Sequence, residues 1–425
     1  MTAIMVAIFL ILAISGTHVA IALGLAVIAA VFFASDFQLV TVAQRMVSGV
    51  DSYTLLAIPL FMLTGRLMNE GGITERIFDF CKVCVGHIRG GLGHVNVLAS
   101  MVFAGMSGSA VADAGGLGQV EIKVMNDQGY PPSFSAAVTA VSSAIGPIIP
   151  PSIPFVMYAA IAEVSPGDLF LAGFFPGVLM GLAMMITIYI LSFIWKFPKS
   201  EKRAGWLERL MILKKAFLPL LTPVIIMGGI MTGIFTPTEA SAVAAVYAFI
   251  LSFFVYKTIK IKDMPGIIVD TVITTAIVVF IMSTSSAFSW ILIMQKVAAS
   301  LAAFVANFGS NKILILLLLN LVMLFLGCFM EAGMLVTLLT PLFVPIANAL
   351  GVDLVQFGVI MVLNLMIGVV TPPVGMSLFV VSKLSGVSVE KMTKPVVILL
   401  IPLVIVLLAV TYIPEVSLVL PSILK

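Results

Sequence analysis

The sequence is 425 residues long, 61% hydrophobic and only 10% charged, with a mean hydropathy of +1.23 and a formal net charge of +3. A soluble globule is nearer half apolar and a quarter charged, so these values exclude one and point to a polytopic membrane protein. So small a net charge gives no basic surface for nucleic acid. Backbone polar groups in hydrocarbon must satisfy one another, so the apolar runs predict spanning helices and an all-α fold in a lipid bilayer.

In chain order, a first span is expected over residues 3–34. No Lys or Arg precedes Arg45, so this span lacks the basic region of a cleavable signal peptide and reads as retained. A polar connection over 35–51 leads to a second span over 52–68, which Gly71 and Gly72 end. Residues 73–87 mix Glu75, Arg76, Asp79 and Lys82 with Ile77, Phe78, Phe80 and Val83, a composition suited to a helix lying along the interface. Between 95 and 127 the chain is long enough to cross once, yet its middle holds Gly105, Gly108, Gly115, Gly116 and Gly118 with Ser107, Ser109 and Asp113. A re-entrant hairpin fits better, and such backbone is tolerated at membrane depth only inside protein or beside a watery cavity. The span over 133–162 contains Pro147, Pro150, Pro151 and Pro154. Proline removes donors and frees carbonyls, so this should be a broken helix with an unwound waist.

Gly173, Gly177 and Gly181 recur at every fourth residue of the next span, 169–195, and predict close helix packing. A basic linker over 196–215 follows, with Lys199, Lys202, Arg203, Arg209 and Lys214 against Glu201 and Glu208; its excess of positive charge marks it as cytoplasmic. Spans over 216–234, 241–256 and 267–293 come next, then an interfacial helix over 294–308. A second hairpin over 313–350, a second broken helix over 354–381 and a last span over 395–416 complete the chain.

The two hairpin and broken-helix segments are copies of one pattern. Slid by 222 residues without a gap, the stretch from Met101 to Pro151 matches at eleven positions. Among them Gly105 meets Gly327, Gly129 meets Gly351, Gly146 meets Gly368, and Pro150 and Pro151 meet Pro372 and Pro373. Matches at turn glycines and prolines mark a fixed-period internal repeat. Five crossings separate the hairpins, and an odd number inverts the second copy. The expected organisation is a first inverted repeat over 1–195, the cytoplasmic linker over 196–215 and a second inverted repeat over 216–425. That topology puts 18 of the 22 Lys and Arg residues on the cytoplasmic side.

Paired hairpins and broken helices at mid-membrane are how secondary transporters build substrate and coupling-ion sites. Helix amino termini and hairpin tips offer N–H groups to an anion, and unwound carbonyls offer oxygens to a hard cation such as sodium. The hydroxyls of Ser107, Ser109, Ser152 and Thr371 can serve either purpose, although Ser107 and Ser109 also fit a polar packing contact. Asp113 and Glu331 are acids inside the hairpins, where an ionisable group is costly; each is a functional candidate or the partner of a backbone amide. Glu239, beside Pro237, reads as a helix cap. Cys81 and Cys84 form a lone CxxC, Cys328 lies in an apolar run, and His18, His87 and His94 lack ligand spacing, so packing fits them better than a transition metal. GMSGS departs from a serine-hydrolase elbow at Ser109, and neither a phosphate loop nor HExxH occurs, so the chain is not expected to be an enzyme or to use ATP itself.

Through GMSGSAVADAGGLG (105–118), GPIIPPSI (146–153), FTPTEASAVAAVYA (235–248) and FGVIMVLNLMIGVVTPPVG (357–375), the chain resembles the large membrane subunit of the tripartite ATP-independent periplasmic transporters, the TRAP family. The resemblance runs over essentially the whole chain. It implies a multi-pass protein of the bacterial inner membrane that imports an organic acid by sodium symport and an elevator motion, a hairpin-bearing domain sliding against a scaffold. The acid would be a C4-dicarboxylate, a sialic acid or another sugar or keto acid, delivered by a periplasmic substrate-binding protein. A separate small four-helix membrane subunit is the second implied partner; sodium ions are the implied coupling ions, with no organic cofactor. Carried onto matching positions, one cation site uses Ser107 with carbonyls near Gly146, Ile149 and Pro150, and the other uses Gly327, Gly368, Thr371 and Val374. Ser107, Ser109, Asp113, Ser152 and Glu331 would line or gate the substrate path. Two other readings stay open: a single-component ion-coupled carboxylate transporter or exchanger that needs no binding protein, and a non-transporting scaffold or intramembrane enzyme.

Overall fold

In the computed structural model, which describes residues 1–34, 37–198, 205–297 and 311–424, every regular element among the described residues is a helix. The amino-terminal apolar run is not the single span expected over 3–34. It parts into α1 (Thr2–Ile14) and α2 (Val19–Ala34), and Gly16 turns the chain at a φ of 81°, a left-handed conformation that costs glycine no Cβ clash. At 1.5 Å per residue these helices reach roughly 20 and 24 Å, short of a hydrocarbon core of about 30 Å, and they pack on one another. Nor is 35–51 an open connection. Its middle is α3 (Leu39–Ser48), bent by 61° from the segment that a 3₁₀ turn (Tyr53–Leu56) and α4 (Ala57–Glu70) form. Next, α5 (Ile73–Val85) buries Ile73, Ile77, Phe78 and Cys81 along one stripe, the spacing of an amphipathic helix.

The first expected hairpin is α6 (Gly91–Ser107), a tip, α7 (Ala110–Gly116) and α8 (Gly118–Asp127). Gly108 stops α6 at a φ of 61°, and the Ser109 hydroxyl starts α7 by accepting from the Ala112 N–H at 3.4 Å. The broken helix follows as α9 (Pro132–Ser142), a 3₁₀ turn (Ser143–Ile145), a non-helical waist over 146–152 and α10 (Ile153–Ala162). Then come α11 (Pro166–Ile194) and α12 (Trp206–Met231). The linker over 196–215 is thus helical from Trp206, earlier than its charge suggests. Its stretch WLERLMILKKAFL holds neither Gly nor Pro and is built of helix formers, with Glu208 in the favourable first turn. A capping box opens α13 (Pro237–Ile250): Glu239 Oε2 accepts from the Thr236 N–H at 2.8 Å, and Thr236 Oγ1 accepts from the Glu239 N–H at 3.3 Å. A π turn (Leu251–Val255) and α14 (Met264–Met294) follow, and most of the helix expected over 294–308 lies outside the described residues.

The second half continues through α15 (Lys312–Gly327), α16 (Ala332–Ala349), α17 (Leu354–Val369), α18 (Met376–Ser385), α19 (Val389–Tyr412) and an unexpected α20 (Glu415–Leu424). Shifted by 222 residues, α6 falls on α15, α7 with α8 on α16, α9 with its 3₁₀ turn on α17, α10 on α18 and α11 on α19. Six of the described helices are long and apolar enough to cross a membrane, or seven if the bent α3–α4 pair is one span. One core joins α4 to α11 with α15 to α19, and a smaller one joins α1, α2, α3 and α14 around Phe9, Leu23 and Trp290. Outward faces carry bare apolar side chains such as Ile186, Val224, Val272 and Ile405, a surface suited to lipid rather than water.

Candidate functional site

Each tip closes against the waist of its own half, because glycine lets backbone approach backbone. In the first half, a Cβ on Gly108 would stand 2.9 Å from Pro151 O, and one on Gly105 would stand 3.6 Å from Pro150 O. In the second, a Cβ on Gly327 would lie 3.0 Å from the Gly368 Cα, and the Gly375 N–H donates to Cys328 O at 2.9 Å. The peptides Pro150–Pro151 and Pro372–Pro373 are both cis.

Both tips and both broken helices open onto one cleft. The first tip contributes Gly108 to Val111 and the second Glu331 to Met334; Pro147, Ile153, Pro154, Met157, Met366 and Val369 come from the broken helices. Met62 of α4, with Val278 and Ile281 of α14, forms an apolar wall. The only polar side chains among these lining residues are Ser109 and Glu331, and none is basic. The first turns of α10 and α16 also line the cleft, and helix amino termini present N–H groups and positive dipole ends.

Of the residues expected on the substrate path, the structure therefore brings Ser109 and Glu331 into the cleft. Glu331 stands at the head of α16 without capping it, its Oε1 over Gly333. Ser152 is fully buried behind the cleft, where its hydroxyl accepts from the Phe155 N–H at 3.3 Å and caps α10. Asp113 lies one turn into α7, 1% exposed and off the cleft lining. Among the expected cation ligands, Ser107 is the last residue of α6, beside the first tip; Gly146, Ile149 and Pro150 fall in the first waist. Gly368, next to the last residue of α17, stands against Gly327, and Thr371 and Val374 follow in the second waist. Thr371 donates its hydroxyl proton to Ile367 O at 2.6 Å, so its oxygen presents lone pairs to any further partner.

Sequence reasoning passed over a buried polar group behind the first tip. Asn96 Nδ2 of α6 donates to Glu121 Oε2 of α8 at 2.8 Å and to Thr139 Oγ1 of α9 at 2.7 Å. Ser142 Oγ donates to Asn96 Oδ1 at 2.8 Å, and Ser100 Oγ donates to Ser142 Oγ at 3.1 Å. A signal exists: Asn96 with Ser100, and Thr139 with Ser142, sit at the spacing that puts each pair on one face of an apolar helix. Met62, Val278 and Ile281 carry no such signal, being apolar residues in apolar spans.

An apolar helical molecule in which two glycine tips and two broken helices close on one cleft is built as a secondary transporter of the membrane. Residues 6–416 match the family described as Tripartite ATP-independent periplasmic transporter, DctM component, and the chain belongs to that family. It is 49% identical over 386 residues to the sialic acid TRAP transporter large permease protein SiaM of Vibrio cholerae, with 89% of each chain covered. Over 400 residues it is 41% identical to the C4-dicarboxylate TRAP transporter large permease protein DctM of Pseudomonas aeruginosa, covering 94% of this chain and 93% of that one. Among solved structures it shares its fold with the YdaH transporter of Alcanivorax borkumensis, at a TM-score of 0.64, 12% identity and 87% coverage of each chain. The chain is thus a large permease subunit of the TRAP type, multi-pass in the bacterial inner membrane. Its family implies a small membrane subunit and a periplasmic binding protein as partners.

Proposed function

We propose that this permease imports an organic acid, a sialic acid in preference to a C4-dicarboxylate, by sodium symport and an elevator motion after delivery by a periplasmic binding protein. The convergence of both tips and both waists on one cleft carries this reading. Substrate and ions that bind there share the same closing backbone, so each favours the closed arrangement the other needs. One sodium fits Ser107 with the waist carbonyls of Gly146, Ile149 and Pro150; the other fits Gly327, Gly368, Thr371 and Val374, where the Thr371 oxygen has its lone pairs free of its own proton. Met62, Val278 and Ile281 form an apolar face, against which a tip-bearing domain can slide without breaking hydrogen bonds.

The choice of substrate follows from the cleft's polar groups. The amino-terminal turn of α16 suits one carboxylate. The Glu331 carboxyl oxygens accept from hydroxyl and amide N–H groups, which a sialic acid offers and a dicarboxylate lacks. One carboxylate with many hydroxyls describes a sialic acid better than a dicarboxylate, in line with the 49% identity to the sialic acid permease.

Uptake of labelled sialic acid and succinate is measured in proteoliposomes holding this chain and its small partner, with binding protein added or omitted and a sodium gradient imposed or abolished. Sialic acid uptake that needs both is expected. Sodium-independent uptake would sink the coupling, and full uptake without binding protein would favour the single-component transporter.

A further inference from the structure

The hydrogen-bond chain behind the first tip has a direction. Asn96 gives amide protons to Glu121 Oε2 and Thr139 Oγ1, so its Oδ1 can only accept. The proton on that bond belongs to Ser142, whose oxygen must therefore accept the next proton, from Ser100. Turning the Asn96 amide over would set its oxygen against the Glu121 carboxylate, so the acid fixes the order. The protons from Ser100 to Ser142, Ser142 to Asn96 and Asn96 to Glu121 run one way, and Ser100, at the far end, is left with lone pairs.

Beside the Ser100 oxygen stands the Asp113 carboxyl. It is 1% exposed, and neither Oδ1 nor Oδ2 makes a hydrogen bond of normal geometry, the Ser100 hydroxyl being the side chain near enough to offer one. A single hydroxyl proton cannot serve both Ser142 and Asp113. Two acceptors side by side in a buried space repel unless a proton or a metal ion joins them, and among the described residues no ion pair reaches Asp113 or Glu121. The repeat does not account for this arrangement. Under the 222-residue shift Asn96, Ser100, Asp113 and Glu121 fall on Leu318, Val322, Leu335 and Phe343. The second half has instead a neutral group, in which Asn364 Nδ2 donates to Asn320 Oδ1 at 2.7 Å and Asn320 Nδ2 to Thr411 Oγ1 at 3.1 Å.

We propose that the Asp113 carboxyl and the Ser100 oxygen hold a monovalent metal cation rather than a proton, a third ion site that the internal repeat does not generate. One carboxylate with neutral oxygens matches a single positive charge. Glu121, already engaged by Asn96, is a positioning residue that keeps the Ser100 lone pairs turned toward the ion. The site is separate from the one drawn at Ser107. Ser100 precedes Ser107 on α6 by roughly 10 Å of helix rise, whereas the oxygens around one hard cation lie within about 5 Å of each other. Ala110 and Val111, a turn before Asp113, line the cleft, so the ion sits one turn beneath it. The proposal goes beyond the two-cation reading and rests on it for the identity of the ion as sodium.

Equilibrium binding of radiolabelled sodium to the purified chain with its small partner in lipid nanodiscs tests it. Asp113→Asn offers an amide donor to the Ser100 lone pairs and needs no ion, so it should fold and bind one sodium fewer than the wild type. Adding Thr371→Ala should remove a second, different ion. Ser100→Ala and Glu121→Gln should keep the saturating count while raising the sodium Kd about tenfold; they carry the test if Asp113→Asn misfolds. An unchanged count in Asp113→Asn, or unchanged affinity in both supporting variants, overturns the site. A loss in Asp113→Asn that Ser107→Ala reproduces without adding to it merges the two and also overturns a third site. A wild type that binds no sodium defeats this site and the sodium coupling together, whereas a sodium-binding wild type with an unaffected Asp113→Asn defeats this site alone.

Discussion

Gly368 and Gly115 show how differently two glycines of one repeat pattern behave at the scale of an atom. A Cβ on Gly368 would stand 2.6 Å from the Gly327 Cα and 2.8 Å from its carbonyl carbon, backbone that cannot step aside; one on Gly115 would meet nothing within 4 Å. Overpacking of this kind costs about 1–3 kcal/mol, and here it is relieved by opening the second tip. Gly368→Ala should therefore lower sodium-driven uptake by about tenfold or more, since 1.4 kcal/mol is a factor of ten. Gly115→Ala should leave uptake unchanged and raise stability by up to about 1 kcal/mol through helix propensity. Paired uptake and thermal melting separate the two, and equal losses would refute the tip contact. Thr371 poses a finer question, because its hydroxyl proton is committed to Ile367 O. Thr371→Ser keeps the oxygen and should keep the half-saturating sodium concentration; the isosteric Thr371→Val should raise it about tenfold. A Val variant with wild-type sodium dependence would remove Thr371 from the ion's ligands.

At the scale of elements, the glycine stripe of α11 is legible in the sequence, but its partner is not. Gly173 and Gly177 seat the first waist: a Cβ on Gly173 would stand 2.7 Å from Ile148 O, and one on Gly177 would stand 3.3 Å from the Ile149 N as well as against its side chain. The atoms nearest a Cβ on Gly181 belong to the Met101 side chain, which is flexible and can yield. Gly177→Ala should thus displace Ile149 and weaken the sodium dependence of uptake, while Gly181→Ala should be nearly neutral; the reverse order would show that the stripe packs helices without seating the waist. The corresponding residues of α19 are Pro395, Leu399 and Leu403, so the second waist is held differently. What could be read from residues alone is what repeats at fixed spacing, namely the tip glycines, the Pro-Pro breaks and this stripe. The reversal at Gly16 hides in a continuous apolar run, and the start of α12 hides under basic residues that resemble a loop. The group of Asn96, Ser100, Thr139 and Ser142 stays hidden because two separate helices must meet before its four polar side chains face one another.

Over the whole molecule, inversion would follow from parity. Between the first tip segment, which ends with α8, and the second, which begins with α15, lie the first broken helix, α11, α12, α13 and α14, five passages if each crosses, so equivalent ends of the two tip segments should face opposite compartments. Asp127 at the end of α8 and Ala349 at the end of α16 are such a pair, 222 residues apart and both exposed. The native cysteines Cys81, Cys84 and Cys328 are free and can be replaced to give a silent background. Cysteine at 127 should then react with a membrane-impermeant maleimide only after cells are permeabilised, because the positive-inside rule puts the basic segment before α12 in the cytoplasm. Cysteine at 349 should react in intact cells. Inverted repeats would have the two tips approach the cleft from opposite faces, so that a sliding domain carrying both would close one route while opening the other. Labelling of both positions from one face would make the repeats parallel; both tips would then open the same way, and alternating access would have to come from some part of the chain other than this pair.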